Sequence, residues 1–480
     1  MKCLLTILAT LLFSYSAHAA DKPNIVFFFL DDWGWQDAGF MGSTYYDTPV
    51  MDVLAAEGLR FDSAYSAAAN CAPTRAALLS GQYAPRTGIY TVADAERGNS
   101  EERRLIPTTN TLFLGNDVVT MAESIKAAGY NTGHIGKWHL GTGEEGGPLV
   151  QGYDLNIGGN HLGLQEGGHF APYNDTSTIT QGPDGEYLTD RLTDEAISFI
   201  NDQSVDKPFY LMLSHYAVHT PIEAPEITTE KYKNRTADAY HNNPVYGAMI
   251  DHVDQGIGRI LQVLKNKGFD DNTVIILTSD NGGYGPTTQA PDLRGAKGTP
   301  YEGGNRVPMV IKMPGGFGAG EFNNTPVNSV DFYPTLVELA GGEMPQNQFA
   351  DGESLMPILK GNEIERDALF YHFPAYLEPY ADTTTWRAKP FGSVSMRRYK
   401  LIEFFEFGQL ELYDLETDLK ETTNIALDKP EITAKLYKRM LEWRTETNAP
   451  IPTELNAEYD VKYTPKDYVT WEQVQEKLAH

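Results

Sequence analysis

Short, continuous apolar runs alternate with longer stretches whose apolar positions recur at helical spacing, and this alternation organises the chain from Pro23 onward. Residues 24–30 read Asn-Ile-Val-Phe-Phe-Phe-Leu, with no polar alternation, which predicts a strand covered on both faces. Residues 117–128 predict a helix stopped by Gly129, and residues 130–135 the strand that follows it. Residues 209–213 and 273–277 predict two more central strands, with a helix over 248–267 between them. A further strand is expected over 307–312 and a further helix over 329–340. Such alternation is the mark of an α/β fold, here a large mixed, mostly parallel central sheet flanked by helices.

After about residue 381 the pattern changes. Residues 392–413 carry short alternating runs broken at Arg397-Arg398, Gly408 and Asp414, which predict antiparallel hairpins. Residues 431–447 predict an amphipathic helix. The expected division is a catalytic α/β domain over 21–384 and a smaller C-terminal α+β subdomain, antiparallel sheet plus helix, over 385–480.

Ahead of the first strand, Met1-Lys2 precedes an apolar run from Cys3 to Phe13 and small residues at Ala17 and Ala19. This predicts a secretory signal peptide over 1–20, because the run falls short of the roughly 20 apolar residues that span a bilayer. No later segment reads as a membrane span. The protein is therefore expected to be exported, to the periplasm or as a secreted enzyme. Loss of Cys3 with the leader leaves Cys71 as the sole thiol, so no internal disulfide is expected.

The 480 residues are 41% hydrophobic, enough for a large core, and the formal net charge is -27. That charge argues against nucleic acid or an anionic membrane as partner. An anionic substrate would need a local pocket of cations and metal to overcome it.

In an open α/β sheet, ligands bind beyond the carboxyl ends of the strands. Four predicted strands lead there into chemically capable residues: Asp31-Asp32-Trp33-Gly34, Lys137-Trp138-His139, His215 to His219, and Asp280-Asn281-Gly282. Asp31, Asp32, Asp280 and Asn281 offer hard oxygen donors, which suit calcium or magnesium better than zinc. Cys71-Ala72-Pro73-Thr74-Arg75 opens a predicted helix that Gly81 stops. A helix N-terminus is expected to favour an anion and to lower the pKa of Cys71, with Arg75 one turn on.

Cys71-Ala72-Pro73-Thr74-Arg75, followed by Leu79-Ser80-Gly81-Gln82-Tyr83, resembles the signature of the formylglycine-dependent sulfatases of the alkaline phosphatase superfamily. Asp31-Asp32-Trp33-Gly34, the segment Gly136 to Gly141, His219-Thr220-Pro221, the segment Asp280 to Gly283 and the segment Gly295 to Gly304 look like that family's further motifs, in its order. Thr74 stands where Ser is commoner and keeps a hydroxyl, so modification of the cysteine is still expected.

The resemblance implies that a formylglycine-generating maturase oxidises Cys71 to formylglycine (3-oxoalanine), whose hydrate attacks sulfur and forms a covalent sulfo-enzyme. It implies one calcium ion held by Asp31, Asp32, Asp280, Asn281 and an oxygen of the modified Cys71. It assigns Arg75 and Lys137 to orienting that residue, Lys297 and His219 to the sulfate oxygens and the leaving alcohol, and His139 to the collapse step. With calcium bound, such a site is net positive despite the acidic chain.

Loops carrying Trp33, Trp35, His161, His169, Tyr173 and Trp386 suggest a sulfated poly- or oligosaccharide as substrate, with Arg294 and Arg387 as candidates for a second anionic group. An aryl or alkyl sulfate, a phosphate ester, or non-catalytic binding of a sulfated glycan are the alternatives.

Overall fold

In the computed structural model, which describes residues 22–164, 167–173, 178–237, 239–381 and 383–479, the apolar strand Asn24–Leu30 lies buried inside an eight-stranded sheet. The expected signal peptide lies outside the described residues. Across the sheet the order is Leu155–Ile157, Asn131–Gly136, Phe209–Ser214, Asn24–Leu30, Thr273–Ser279, Met309–Lys312, Leu59–Phe61 and Phe322–Asn323. The first five strands run parallel, and Met309–Lys312 is antiparallel to both its neighbours. The fold is thus the large mixed, mostly parallel sheet expected.

Both faces of the central strand are covered, which is why its sequence shows no polar alternation. Val26, Phe28 and Leu30 face a core built with helices Leu188–Asn201 and Pro244–Lys267. Ile25, Phe27 and Phe29 face a second core with helices Cys71–Ser80, Met121–Ala127 and Phe332–Leu339. Each such fully buried side chain contributes about 1.5–3 kcal/mol relative to exposure.

Register then places the chemistry. Leu30 pairs with Ser279, Phe29 with Ser214, and Gly136 with Ser214, so four central strands end at one level. The residues that follow, Asp31, Lys137, His215 and Asp280, leave the sheet along one edge. Hydrogen bonds continue the ladder just beyond it: Lys137 N donates to Ser214 O at 2.7 Å and Asp280 N to Leu30 O at 3.1 Å.

Several elements differ from the sequence-based expectation at their ends. The helix expected from residue 117 starts at Met121, because Thr120 and Glu123 form a capping box that fixes its first turn. The stretch expected as a helix from Ser329 opens with a 3-10 turn, Ser329–Asp331, before the α-helix Phe332–Leu339.

The smaller sheet is antiparallel throughout, in the order Leu369–Phe373, Phe391–Met396, Tyr399–Phe404, Gln409–Asp414. Its first strand lies upstream of residue 385. Helix Pro430–Thr447 covers it, with Trp443 stacked on Phe370 at 4.7 Å between ring centroids. Among the described residues, no helix is long and apolar enough to cross a membrane.

Gly136 closes its strand with φ 100°, and a Cβ there would run into the Ser214 carbonyl oxygen. Gly136→Ala is therefore expected to cost about 3 kcal/mol or more in urea denaturation, since both the dihedral and the contact must be relieved.

Candidate active site

Asn70 is extended, Pro73 sits in the first turn and Gly81 at φ 68° ends the helix, so Cys71 stands at a helix N-terminus as expected. The whole helix is buried. That burial overturns one expectation: it pushes the Cys71 thiol up, and the nearby Lys137 and Lys297 pull against it without reversing it. The unmodified thiol is thus protonated and a poor nucleophile. Lys297 Nζ lies 3.5 Å from its Sγ.

Three carboxylates and three cations are paired one to one at the strand ends. Arg75 grips Asp280 Oδ2 through Nε at 3.0 Å and through a second guanidinium nitrogen at 2.7 Å. The same guanidinium donates to Lys137 O at 2.8 Å and Ser214 Oγ at 2.6 Å, with its carbon 5.0 Å from the centre of the Phe29 ring. Lys137 Nζ meets Asp31 Oδ2 at 2.5 Å, and Lys297 Nζ meets Asp32 Oδ1 at 2.5 Å. Asn281 Nδ2 donates to Asp32 Oδ1 at 2.8 Å.

These charges set one another's protonation. Burial, then the neighbouring Asp280, push Asp31 up to about 8 against the pull of Lys137. Burial acts the same way on Asp32, but Lys297 and then His219 outweigh it and hold that carboxyl below the usual range. Lys297 would be lowered by burial, yet Asp32 and Cys71 keep it firmly cationic. His219 and His139 are both driven well below the ordinary imidazole value, first by burial and then by Lys297 and Lys137 respectively. His219 Nδ1 faces the Thr220 carbonyl at 2.7 Å, so it carries the proton and leaves Nε2, 3.8 Å from Asp32 Oδ2, toward the cluster.

The donor set fits a hard divalent cation. Ligand atoms of Asp31, Asp32, Cys71 and His219 lie within 4.8 Å of one another. Asp31 Oδ1, Asp32 Oδ2 and Asn281 Oδ1 are buried with no hydrogen-bond partner, an arrangement that costs free energy unless a cation accepts them.

Other residues that brace the site, Ser214, Tyr380, Asn160 and Gly163, carry no signal of that role in the sequence, and His169 carries one only for sugar recognition. Ser214 fixes Arg75. Tyr380 donates from its hydroxyl to Lys297 O at 2.7 Å. His169 Nε2 lies 3.0 Å from His219 O. Asn160 O receives His139 N at 2.8 Å, and a Cβ on Gly163 would touch the His139 ring, so only glycine lets that loop pass so close.

The candidates for sugar and second-anion recognition separate. Trp33, His169 and Tyr173 are buried and serve packing, whereas His161 is exposed. Trp35 is half-buried beneath the Arg306 guanidinium. Trp386 donates to Glu102 Oε2 at 2.8 Å. Arg294 is engaged by Tyr413 Oη at 2.9 Å, Glu421 O at 2.8 Å and the Tyr301 ring, and Arg387 by Glu378. Neither guanidinium is held open for an anion.

The family model described as Sulfatase matches residues 23–342. The chain belongs to the sulfatase family. A second model, N-sulphoglucosamine sulphohydrolase, C-terminal, matches residues 296–446 of this sulfatase. It is 34% identical to a sulfatase of Formosa agariphila over 94% of both chains. It is 32% identical to the N-acetylgalactosamine-6-sulfatase of Mus musculus over 74% of this chain and 70% of that one. Among solved structures, Ps i-CgsB superposes with a TM-score of 0.74 at 26% identity, covering 91% of this chain and 95% of that one. The same protein has been solved in complex with k-i-k-neocarrahexaose, with a TM-score of 0.73 at 25% identity over 95% of this chain and 97% of that one. The protein is accordingly a sulfuric-ester hydrolase.

Because Arg75 and Asp280 are both fully buried, removing one strands the other. Arg75→Met is expected to destabilise the protein by about 3–5 kcal/mol, and Arg75→Met combined with Asp280→Leu to recover part of that loss, as read by denaturant unfolding of both variants.

Proposed function

We propose that this sulfatase releases sulfate from a sulfated poly- or oligosaccharide, at a centre formed by one calcium ion and Cys71 oxidised to formylglycine. The observation that carries the reading is the convergence of Cys71, Lys297, His219 and the unpartnered oxygens of Asp31, Asp32 and Asn281 on one buried point. Calcium and the hydrated aldehyde, when present, supply a hydroxyl nucleophile at neutral pH, which the protonated thiol of Cys71 does not.

The chain's own residues do the rest. Asp31, Asp32, Asp280 and Asn281 hold the ion. Arg75 pairs with Asp280 and aims it, and Lys137 pairs with Asp31. Lys297 Nζ is the donor facing the sulfate oxygens and the leaving alcohol, His219 turns Nε2 to the same point and donates there only when its ring is doubly protonated, and His139 is the neutral base beside them. Burial of the whole set excludes competing water and strengthens each interaction.

A glycan substrate is supported by the relatives, an N-acetylgalactosamine-6-sulfatase and a protein solved with a neocarrahexaose. Export to the periplasm or medium, and dependence on a maturase for Cys71, complete the proposal.

Mass spectrometry of the tryptic peptide containing Cys71 from active enzyme is expected to show the aldehyde; an intact thiol would overturn the proposal. Cys71→Ala and Cys71→Ser are each expected to drop turnover by at least about a thousandfold, which sulfate-release assays on a sulfated-glycan panel and on 4-nitrophenyl sulfate will measure. Higher catalytic efficiency on the aryl ester than on every glycan would refute the glycan assignment. EGTA is expected to abolish turnover and lower Tm, with calcium restoring both; a Tm and activity indifferent to chelation would remove the ion from the account.

A further inference from the structure

Asp37 follows Asp31 and Asp32 on the same loop and is buried, a carboxylate outside the donor set of the ion. Hydrogen bonds from three separate segments satisfy it. From its own loop, Gly34 N donates to Oδ2 at 3.0 Å. From the helix Pro244–Lys267, the Tyr246 hydroxyl donates to Oδ2 at 2.6 Å and lies 3.2 Å from Asp32 O. From the chain that follows Asp280 and Asn281, the Thr288 hydroxyl donates to Oδ1 at 2.8 Å. His241 Nε2 stands 3.4 Å from the same oxygen. Asp37, Tyr246 and Thr288 are each at most 2% exposed.

Glycines on both ligand-bearing loops answer to this carboxylate. A Cβ on Gly34 would lie 2.6 Å from Asp37 Oδ2, and one on Gly283 would lie 2.6 Å from the Thr288 methyl and 3.2 Å from Gly34 Cα. The two backbones have closed on Asp37 and Thr288 as far as glycine permits. Gln36 and Asp292 repeat the link at the rim: Gln36 Nε2 donates to Asp292 Oδ2 at 2.8 Å, and Asp292 N to Gln36 Oε1 at 3.2 Å.

Packing alone does not call for a carboxylate here, since apolar groups of the same shape, replacing it and its partners, would be about as stable. What the carboxylate adds is a fixed spacing. Asp31 and Asp32 precede it on one loop, Asp280 and Asn281 precede Thr288 on the other, and the loops touch where Asn281 Nδ2 donates to Asp32 Oδ1 at 2.8 Å. Calcium takes its oxygens at about 2.3–2.6 Å, so a small shift between the loops would draw ligands off the ion.

We propose, resting on the calcium reading above, that Asp37 is a positioning residue. With Tyr246 and Thr288 it fixes the separation of the Asp31-Asp32 and Asp280-Asn281 loops, and thereby the affinity of the site for its divalent cation.

Calcium binding to the mature enzyme is measured by calorimetry, directly or in competition with EGTA, together with Tm in excess EGTA and kcat in excess calcium. Tyr246→Phe and Thr288→Val keep the ring and the branched shape and remove only the hydroxyl. Each is expected to weaken calcium binding about tenfold to a hundredfold, the range for groups that orient the ligands of a metal, with kcat recovering as calcium is raised. Thr288→Ser keeps the donor and is expected to bind calcium as wild type does. Asp37→Ala removes every acceptor at once and is expected to lose the most; if it does not fold, the two hydroxyl variants decide alone. Calcium affinity equal to wild type in any folded one of Asp37→Ala, Tyr246→Phe and Thr288→Val overturns the positioning role, even where Tm in EGTA has fallen, because support of the fold alone would do that. A loss in Thr288→Ser as large as in Thr288→Val overturns it as well. Wild type that binds no calcium overturns the calcium reading itself, and the role of Asp37 with it.

Discussion

Taking a charge out of water costs several kcal/mol even after relaxation, and this protein buries six of them at one edge of its sheet. The cost is met by pairing: Arg75 with Asp280, Lys137 with Asp31, Lys297 with Asp32, all buried. Each pair joins segments far apart in sequence, so the site exists only where the sheet brings strand ends to one level. The pairing also balances the cluster. A divalent cation added to it leaves the site positive, and an anionic ester can then be drawn to a protein whose net charge is -27.

The same constraint accounts for two of the strained backbone positions. Asp32 and His139 have φ of 61° and 67°, left-handed values that cost about 1–3 kcal/mol each for residues other than glycine. Both turns are held by hydrogen bonds from outside them. Asp32 N donates to Asp280 Oδ1 at 3.3 Å and Trp33 N to Ser279 Oγ at 3.1 Å, while His139 N donates to Asn160 O. Without these turns, the carboxylate of Asp32 and the ring of His139 would leave the sheet edge in other directions.

How much of this was legible in the sequence follows from which forces are local. The strand Asn24–Leu30 could be read because both its faces are covered, and the helix Cys71–Ser80 because Pro73 and Gly81 mark its ends. Carboxylates and cations placed just after predicted strands pointed to the sheet edge for the same reason. The rest depended on distant packing. The first strand of the small sheet, Leu369–Phe373, carries no alternation because it too is buried throughout. The raised pKa of Cys71 reflects burial of its helix, which outweighs the helix terminus and cannot be seen in five residues. Arg294 and Arg387 looked free until Tyr413, Glu421 and Glu378 fell beside them.

The small C-terminal sheet is part of the active site's support. Lys400, buried in that sheet, sits 3.1 Å from Glu302 and 3.0 Å from Glu421. Glu421 receives Glu302 N, and its carbonyl receives Arg294. Arg294 and Glu302 flank Lys297 in the chain, so residues of the C-terminal region grip both sides of the segment that carries Lys297. Burial makes this grip stringent, because Glu302 without Lys400 would be left with Arg306 at 3.3 Å and the Tyr65 hydroxyl at 2.9 Å, both on one oxygen. The change in sequence character after residue 381 is therefore no division in energetics: the two sheets share one buried charge network, and the position of Lys297 depends on both.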